Sequence, residues 1–184
     1  TGSVNIGGVS MSLHTGTHTD APRHFNEEGK SIAEVDLESY VGEAQVIDLT
    51  AAEPSRLSLG ITPEMIFGPG DNKREITAPR PLLRTGTGGA RGLFPEAFAH
   101  LADEAARALV GMGEQRIGID TPSIERVDAK DMSVHKILAE GSVAILENLA
   151  LSHVEPGRYE LIALPLKFND MDASPVRAVL REIV

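Results

Sequence analysis

The chain is 184 residues long, enough for one domain with a sizeable core. Apolar residues make up 41% and charged residues 24%, the balance of a soluble globular protein. A formal net charge of -10 argues against nucleic acid as a partner, because a phosphate backbone would be repelled, and the lack of cysteine excludes both a disulfide framework and a thiolate metal site.

No apolar run approaches the roughly 20 residues that a bilayer span needs, so no membrane partner is expected. No signal peptide is visible, and cysteine-free composition fits a reducing compartment, so a cytoplasmic location is the expectation. The sequence opens at Thr1 rather than at a methionine, and an N-terminal segment is expected to be missing before it.

In chain order, Val9-Ser10-Met11-Ser12-Leu13 alternates apolar and polar residues and predicts a half-buried strand ending at His14. Ala44 to Leu49 predicts a second strand. Thr62-Pro63-Glu64 combines an N-cap residue, a proline at the first helical position and an acid in the first turn, so a short helix begins there and stops at Gly68-Pro69-Gly70. Asp71 to Pro81 reads as a loop, Pro81 to Thr85 as a short strand, and the glycine-rich stretch Gly86 to Gly92 as a mobile loop. From Pro95 to Met112 the apolar residues Phe98, Leu101, Ala105, Leu109 and Met112 recur at helical spacing, with Gly113 placed to cap the end.

Arg116 to Asp120 predicts a compact strand. Asp131 to Ala139 predicts a helix with His135 in its middle, and Val143 to Glu147 an apolar strand ending on a carboxylate. Tyr159 to Leu166 and Val176 to Val184 are the last strand candidates, although Ala178 to Glu182 also suits a helix. Strands alternating with helices predict an α/β fold, a single domain over residues 1–184 with a mixed β-sheet flanked by helices.

Three of the six histidines fall in the run His14-Thr15-Gly16-Thr17-His18-Thr19-Asp20-Ala21-Pro22-Arg23-His24-Phe25. Histidine nitrogen with a nearby carboxylate is a ligand set for a small divalent cation, and Gly16 lets the backbone turn tightly between His14 and His18. The alternative is a loop held together by histidine hydrogen bonds. His24, four residues past Asp20, suits a further ligand, a proton carrier or an inert surface group. His135 and Glu147 carry weaker signals: a lone helical histidine is usually satisfied or exposed, and a carboxylate ending an apolar strand needs either a metal or an arginine as partner.

The whole pattern His-x-Gly-Thr-His-x-Asp-x-Pro-x-His-Phe resembles the signature of the metal-dependent hydrolases of the cyclase family. The resemblance continues in Gly118-Ile119-Asp120-Thr121-Pro122-Ser123 and in Ala144-Ile145-Leu146-Glu147-Asn148-Leu149. It extends through Tyr159 to Phe168 and Asp172 to Arg181, and so covers nearly the whole chain. It implies a cyclase-family (swivelling β/β/α-like) fold and a two-metal site. The metal ligands would be His14, His18, Asp20, His135 and Glu147, with His24 moving the proton and either Asp20 or Glu147 bridging the ions.

The reaction implied is hydrolysis of a small aryl formamide, N-formyl-L-kynurenine, to L-kynurenine and formate. Nitrogen and oxygen ligands with an open position suit zinc, two ions per subunit, and manganese is the alternative. The expected assembly is a homodimer or homotetramer. Competing readings are a related hydrolase opening the lactam of isatin, and a non-catalytic metal-binding protein. His24 weighs against the second, because a closed structural site has no use for a free proton carrier.

This chain departs from the family in three places. It has no tryptophan, where family members begin with a strand and a tryptophan-containing Pro-Gly-Asp loop. Gly86 to Phe94 is somewhat short, and Ala173 stands where many relatives have glycine.

Overall fold

The computed structural model describes residues 4–70, 74–88 and 94–183. Eight strands, β1 (His18–Asp20), β2 (Val41–Asp48), β3 (Pro81–Arg84), β4 (Arg116–Ile119), β5 (Ala144–Glu147), β6 (Gly157–Ile162), β7 (Ala173–Pro175) and β8 (Val179–Glu182), form one mixed sheet. Their spatial order is β7-β1-β5-β4-β3-β2-β6-β8. β2, β3, β4 and β5 run parallel at the centre, and antiparallel pairings add β1 and β7 on one side and β6 and β8 on the other. This is the single-domain α/β architecture with a mixed sheet that the sequence predicts.

Parallel neighbours need crossovers. They are supplied by α1 (Pro54–Leu57) and α2 (Pro63–Phe67) before β3, by α3 (Asp103–Gly111) before β4, and by α4 (Ser133–Glu140) before β5. None of these helices is long and apolar enough to cross a membrane.

The period-two alternation of the strands divides the core between two faces. Ile47, Leu83, Ile117, Ile119 and Ile145 pack with Leu57, Ile66, Leu109, Val134 and Leu138 beneath the helices. Val46, Leu82, Leu146 and Leu161 face the other way, against Leu149 and Leu151. Gly118 points to this second side, where a Cβ would stand 2.5 Å from Leu82 Cδ2 and 2.8 Å from Leu149 Cδ1. A groove of about 490 Å³ lies over Leu82, Leu149, Leu161 and Leu180, and none of the predicted ligands lines it.

Three predicted elements differ from the structure. Residues Val9 to Leu13 form no strand, since Val9 is 84% and Met11 44% exposed, with neither a paired strand nor a core beneath them. Pairing starts only at His18, which meets Glu147 on one side and Pro175 on the other, so the histidine run leads into a strand instead of following one. The helix predicted from Pro95 begins at Asp103. Before it, Phe98 and Leu101 are buried in an extended segment in which Leu101 bridges Ile61 and donates its N–H to Ile124 O.

The chain end settles as a strand at β8 rather than a helix, and Tyr159 to Leu166 is strand only as far as Ile162. Parts of the Asp71 to Pro81 and Gly86 to Gly92 loops, and Val184, lie outside the described residues, as does most of the stretch compared in length with the family.

After β1 the chain makes a 3-10 turn at Pro22–His24, closed by Asn26 N–H on Pro22 O at 3.0 Å and Arg23 N–H on Lys30 O at 3.1 Å. Gly29 lies against this turn so closely that a Cβ would stand 2.6 Å from Pro22 C and 2.7 Å from Pro22 O. Backbone atoms cannot swing aside as a side-chain tip does. Gly29→Ala is therefore expected to displace the turn that carries His24 and to cost about 1–3 kcal/mol, read as a lower urea midpoint. An unchanged midpoint would show that the turn yields freely.

Candidate metal centre

Gly16, in the left-handed region at φ 69°, turns the chain between His14 and β1. Two residues apart on β1, His18 and Asp20 project to the same side. The antiparallel register sets His18 opposite Glu147, the last residue of β5. On the same side of the sheet α4 brings in His135 from above. His18, Asp20, His135 and Glu147 are all buried, while His14 and His24 are partly exposed at the mouth. The structure thus gathers all six residues singled out in the sequence into one cluster, with a deep half and an open half.

The cluster contains two groups of potential ligand atoms that share Asp20. Around Asp20 Oδ1 stand His14 Nδ1 at 3.2 Å and His18 Nε2 at 3.5 Å. Around Asp20 Oδ2 stands His135 Nε2 at 3.3 Å, itself 3.6 Å from Glu147 Oε1. Glu147 Oε2 closes the arrangement at 3.2 Å from His18 Nε2.

His18 Nε2 and both Asp20 oxygens are buried with no aligned hydrogen-bond partner. Unsatisfied buried polar atoms are costly, so several converging on one place call for a guest. Ligand atoms at tetrahedral positions around zinc lie about 3.3–3.5 Å from one another, given metal–ligand distances near 2.0–2.1 Å. The His–Asp20 and His135–Glu147 separations, 3.2–3.6 Å, are close to this.

The remaining ring nitrogens are tied down as metal-binding histidines require. His18 Nδ1–H donates to Gly16 O at 2.8 Å, which leaves Nε2 as a lone pair facing the carboxylates. His135 Nδ1 lies 3.4 Å from Glu125 Oε1, and the same oxygen accepts Val134 N–H at 2.7 Å. His14 Nε2 meets Asp172 Oδ2 at 3.0 Å, and His24 Nδ1 meets that oxygen at 3.1 Å. Glu147 Oε1 accepts Ile124 N–H at 2.7 Å and Ser123 Oγ–H at 3.3 Å, which ties the end of the Gly118–Ser123 run to the site. The buried Arg116 is engaged elsewhere, on Ser39 O and the Tyr40 ring, and is not the partner of Glu147.

Glu125 and Asp172 were not identified from the sequence as part of this site. Asp172 stood inside a recognised run, but nothing in its spacing tied it to His14 or His24. Glu125 carried no signal beyond following Ser123-Ile124.

With no cation, the site balances its own charge by protons. Asp20 chiefly, with Asp172 and against the ring's burial, pushes His14 up to about 9. Burial alone would lower His135, but the Asp20, Glu125 and Glu147 carboxylates outweigh it and push the ring up to about 11. His18 is raised as well, since Glu147 and Asp20 overcome its burial. Burial would raise Asp20 and Glu147, yet the neighbouring histidines hold both carboxyls below the usual range. Protons and divalent cations are therefore alternative occupants, and cation binding must displace protons.

Residues 5–126 match the model of the Cyclase family. Over 99% of its length the chain is 44% identical to kynurenine formamidase from a strain of Bacillus cereus, and the alignment covers 82% of that protein. In structure it is similar to a predicted metal-dependent hydrolase from Bacillus stearothermophilus, with 33% identity and a TM-score of 0.77 over 98% of this chain and 82% of that one. It is also similar to isatin hydrolase A from Labrenzia aggregata, with 27% identity and a TM-score of 0.73 over 93% of this chain and 74% of the other.

A histidine whose folded pKa lies above its unfolded value of about 6.5 stabilises the fold fully below that pH. That contribution is lost as pH rises through the folded values, about 9 for His14 and about 11 for His135. Chelator-treated protein is expected to lose stability steadily as pH climbs from 6.5 through about 9, followed by urea denaturation. A midpoint that stays flat across this window would contradict the proton-balanced site.

Proposed function

This chain belongs to the cyclase family, and on that premise we propose that it is a metal-dependent amidohydrolase that cleaves N-formyl-L-kynurenine to L-kynurenine and formate. One observation carries the reading. In a chain 44% identical to a kynurenine formamidase, Asp20 turns two buried, unbonded oxygens toward two separate sets of ligand atoms. The arrangement supports divalent cations that would be held by His14, His18, Asp20, His135 and Glu147. All-nitrogen-and-oxygen donors at this spacing favour zinc, with manganese as the alternative.

When bound, divalent cations in such a site supply Lewis acidity, which makes water a nucleophile near neutral pH and polarises an amide carbonyl. His24, at the open mouth, stands where it can take the proton released as the water oxygen bonds to the formyl carbon. The C–N bond then breaks, and the same ring returns the proton to the departing aryl nitrogen. The products are formate, the free aryl amine and one proton released to solvent. Asp20 and Glu147 remain ionised throughout, and Glu125 and Gly16 O keep His135 and His18 in orientation.

The reading is tested by following kynurenine release from N-formyl-L-kynurenine with zinc-loaded protein and with a chelated control. Chelator-sensitive turnover is expected, and its absence with zinc bound would overturn the assignment. His24→Ala is expected to keep its metal and lose roughly 100-fold or more in kcat; unchanged turnover would remove His24 from the reaction. Glu147→Gln is expected to release at least one ion per chain, so full metal content in that variant, by atomic emission, would contradict its place as a ligand.

A further inference from the structure

We propose that Asp172 is a positioning residue whose single oxygen, Oδ2, fixes the hydrogen of both His14 and His24, and so delivers one ring to the ion and the other to the substrate. The proposal rests on the reading of His14 as a ligand and His24 as the proton carrier.

A carboxylate oxygen only accepts. His14 Nε2 at 3.0 Å and His24 Nδ1 at 3.1 Å must therefore both present N–H to it. In a neutral imidazole the other nitrogen is then a lone pair. For His14 that nitrogen is Nδ1, which faces Asp20 Oδ1 at 3.2 Å. Two lone pairs facing each other at this distance repel unless a proton or a metal cation lies between them, and with hydrogen held on Nε2 by Asp172 it is Nδ1 that is open to the metal. For His24 the free nitrogen is Nε2, the atom needed to accept a proton from water. A neutral histidine in water prefers the opposite arrangement, with hydrogen on Nε2. Left to itself, His24 would mostly carry its basic lone pair on Nδ1, the nitrogen that faces Asp172, and not on Nε2.

Asp172 is well placed for this task because its backbone is held on both sides. Its own carbonyl accepts Ala21 N–H at 2.8 Å, and the carbonyl of Met171 accepts Ile32 N–H at 2.9 Å. The next residue, Ala173, pairs with Asp20 across β7 and β1. The His14 and His24 rings lie against each other with centroids 4.2 Å apart, so one oxygen reaches both. Among the described residues, Asp172 is the one side chain that hydrogen-bonds His24. The backbone bonds do not involve the carboxylate, so Asp172→Ala and Asp172→Asn are expected to fold.

The experiment records ring-nitrogen NMR of His24 in zinc-loaded protein, together with zinc content and steady-state kinetics, for wild type, Asp172→Ala and Asp172→Asn. Wild type should show hydrogen on Nδ1 of His24. Asp172→Ala should move it largely to Nε2, keep zinc at saturating metal, and lower kcat about 10–100-fold with KM changed far less. Asp172→Asn keeps an acceptor oxygen and should restore the tautomer and most of the rate. An unchanged tautomer in Asp172→Ala would overturn the proposal. So would loss of zinc at saturating metal in both Asp172→Ala and Asp172→Asn, which would make the carboxylate itself a ligand. The NMR signature needs no substrate, so a wild-type protein inactive on N-formyl-L-kynurenine would sink the functional reading while leaving this one decided by its own data.

Discussion

Two carboxylates, Asp20 and Glu147, are buried side by side in the sheet, and this is the constraint around which the molecule is organised. Like charges out of water repel strongly and cannot both persist without compensation. β1 and β5 carry them into contact, and three imidazoles and a pair of donors from Ser123 and Ile124 surround them. The demand extends outward. Glu125 must hold His135 while capping the first turn of α4, because the residue before that helix, Met132, is left-handed and offers no side-chain cap. A negative pair at the centre thus dictates the helix start, the loop after β4 and the turn before β1.

The back of the same sheet is organised around the opposite sign. Arg116 is fully buried, with no carboxylate on it among the described residues. Its guanidinium lies 3.9 Å from the centre of the Tyr40 ring and donates to Ser39 O at 2.7 Å. Burial lowers it to about 10, which still leaves it charged at neutral pH. Arg80 grips the same turn through Glu38 O and Ser39 O. Carbonyl dipoles and a ring face replace a counter-ion here, so the charge serves to fix the 3-10 turn at Leu37–Tyr40 against the sheet.

Much of this was legible in the chain. The central strands announce themselves as short apolar runs, since Ile47, Leu83, Ile117 and Ile145 need burial wherever they go, and the crossovers then follow from parallel pairing. The ligand run was legible because His14, His18 and Asp20 are close in sequence. His135 and Glu147 are far from it, and only the resemblance joined them. What escaped was structure made by the site itself. β1 reads His-Thr-Asp and β7 Ala-Ser-Pro, neither with an apolar period, because His18 and Asp20 serve the polar centre and Ser174 accepts a backbone hydrogen bond from Leu166. Val9 to Leu13 had the right alternation but no partner strand, and Phe98 and Leu101 mimicked helical spacing while packing as an extended segment. Asp172 reaches His14 across 158 positions, a distance no local pattern can encode.

β1 lies between β5 and β7, strands from the last third of the chain. During synthesis the histidine run leaves the ribosome early, yet its pairing partners, β5 and then β7, emerge only late. Its groups would spend most of translation in water, and long-range closures of this kind come late and slowly. A chain cut short before β7 still carries all six residues of the cluster, but β1 then loses one of its two neighbours and becomes an edge strand. The last strands therefore set how firmly the histidine run is held.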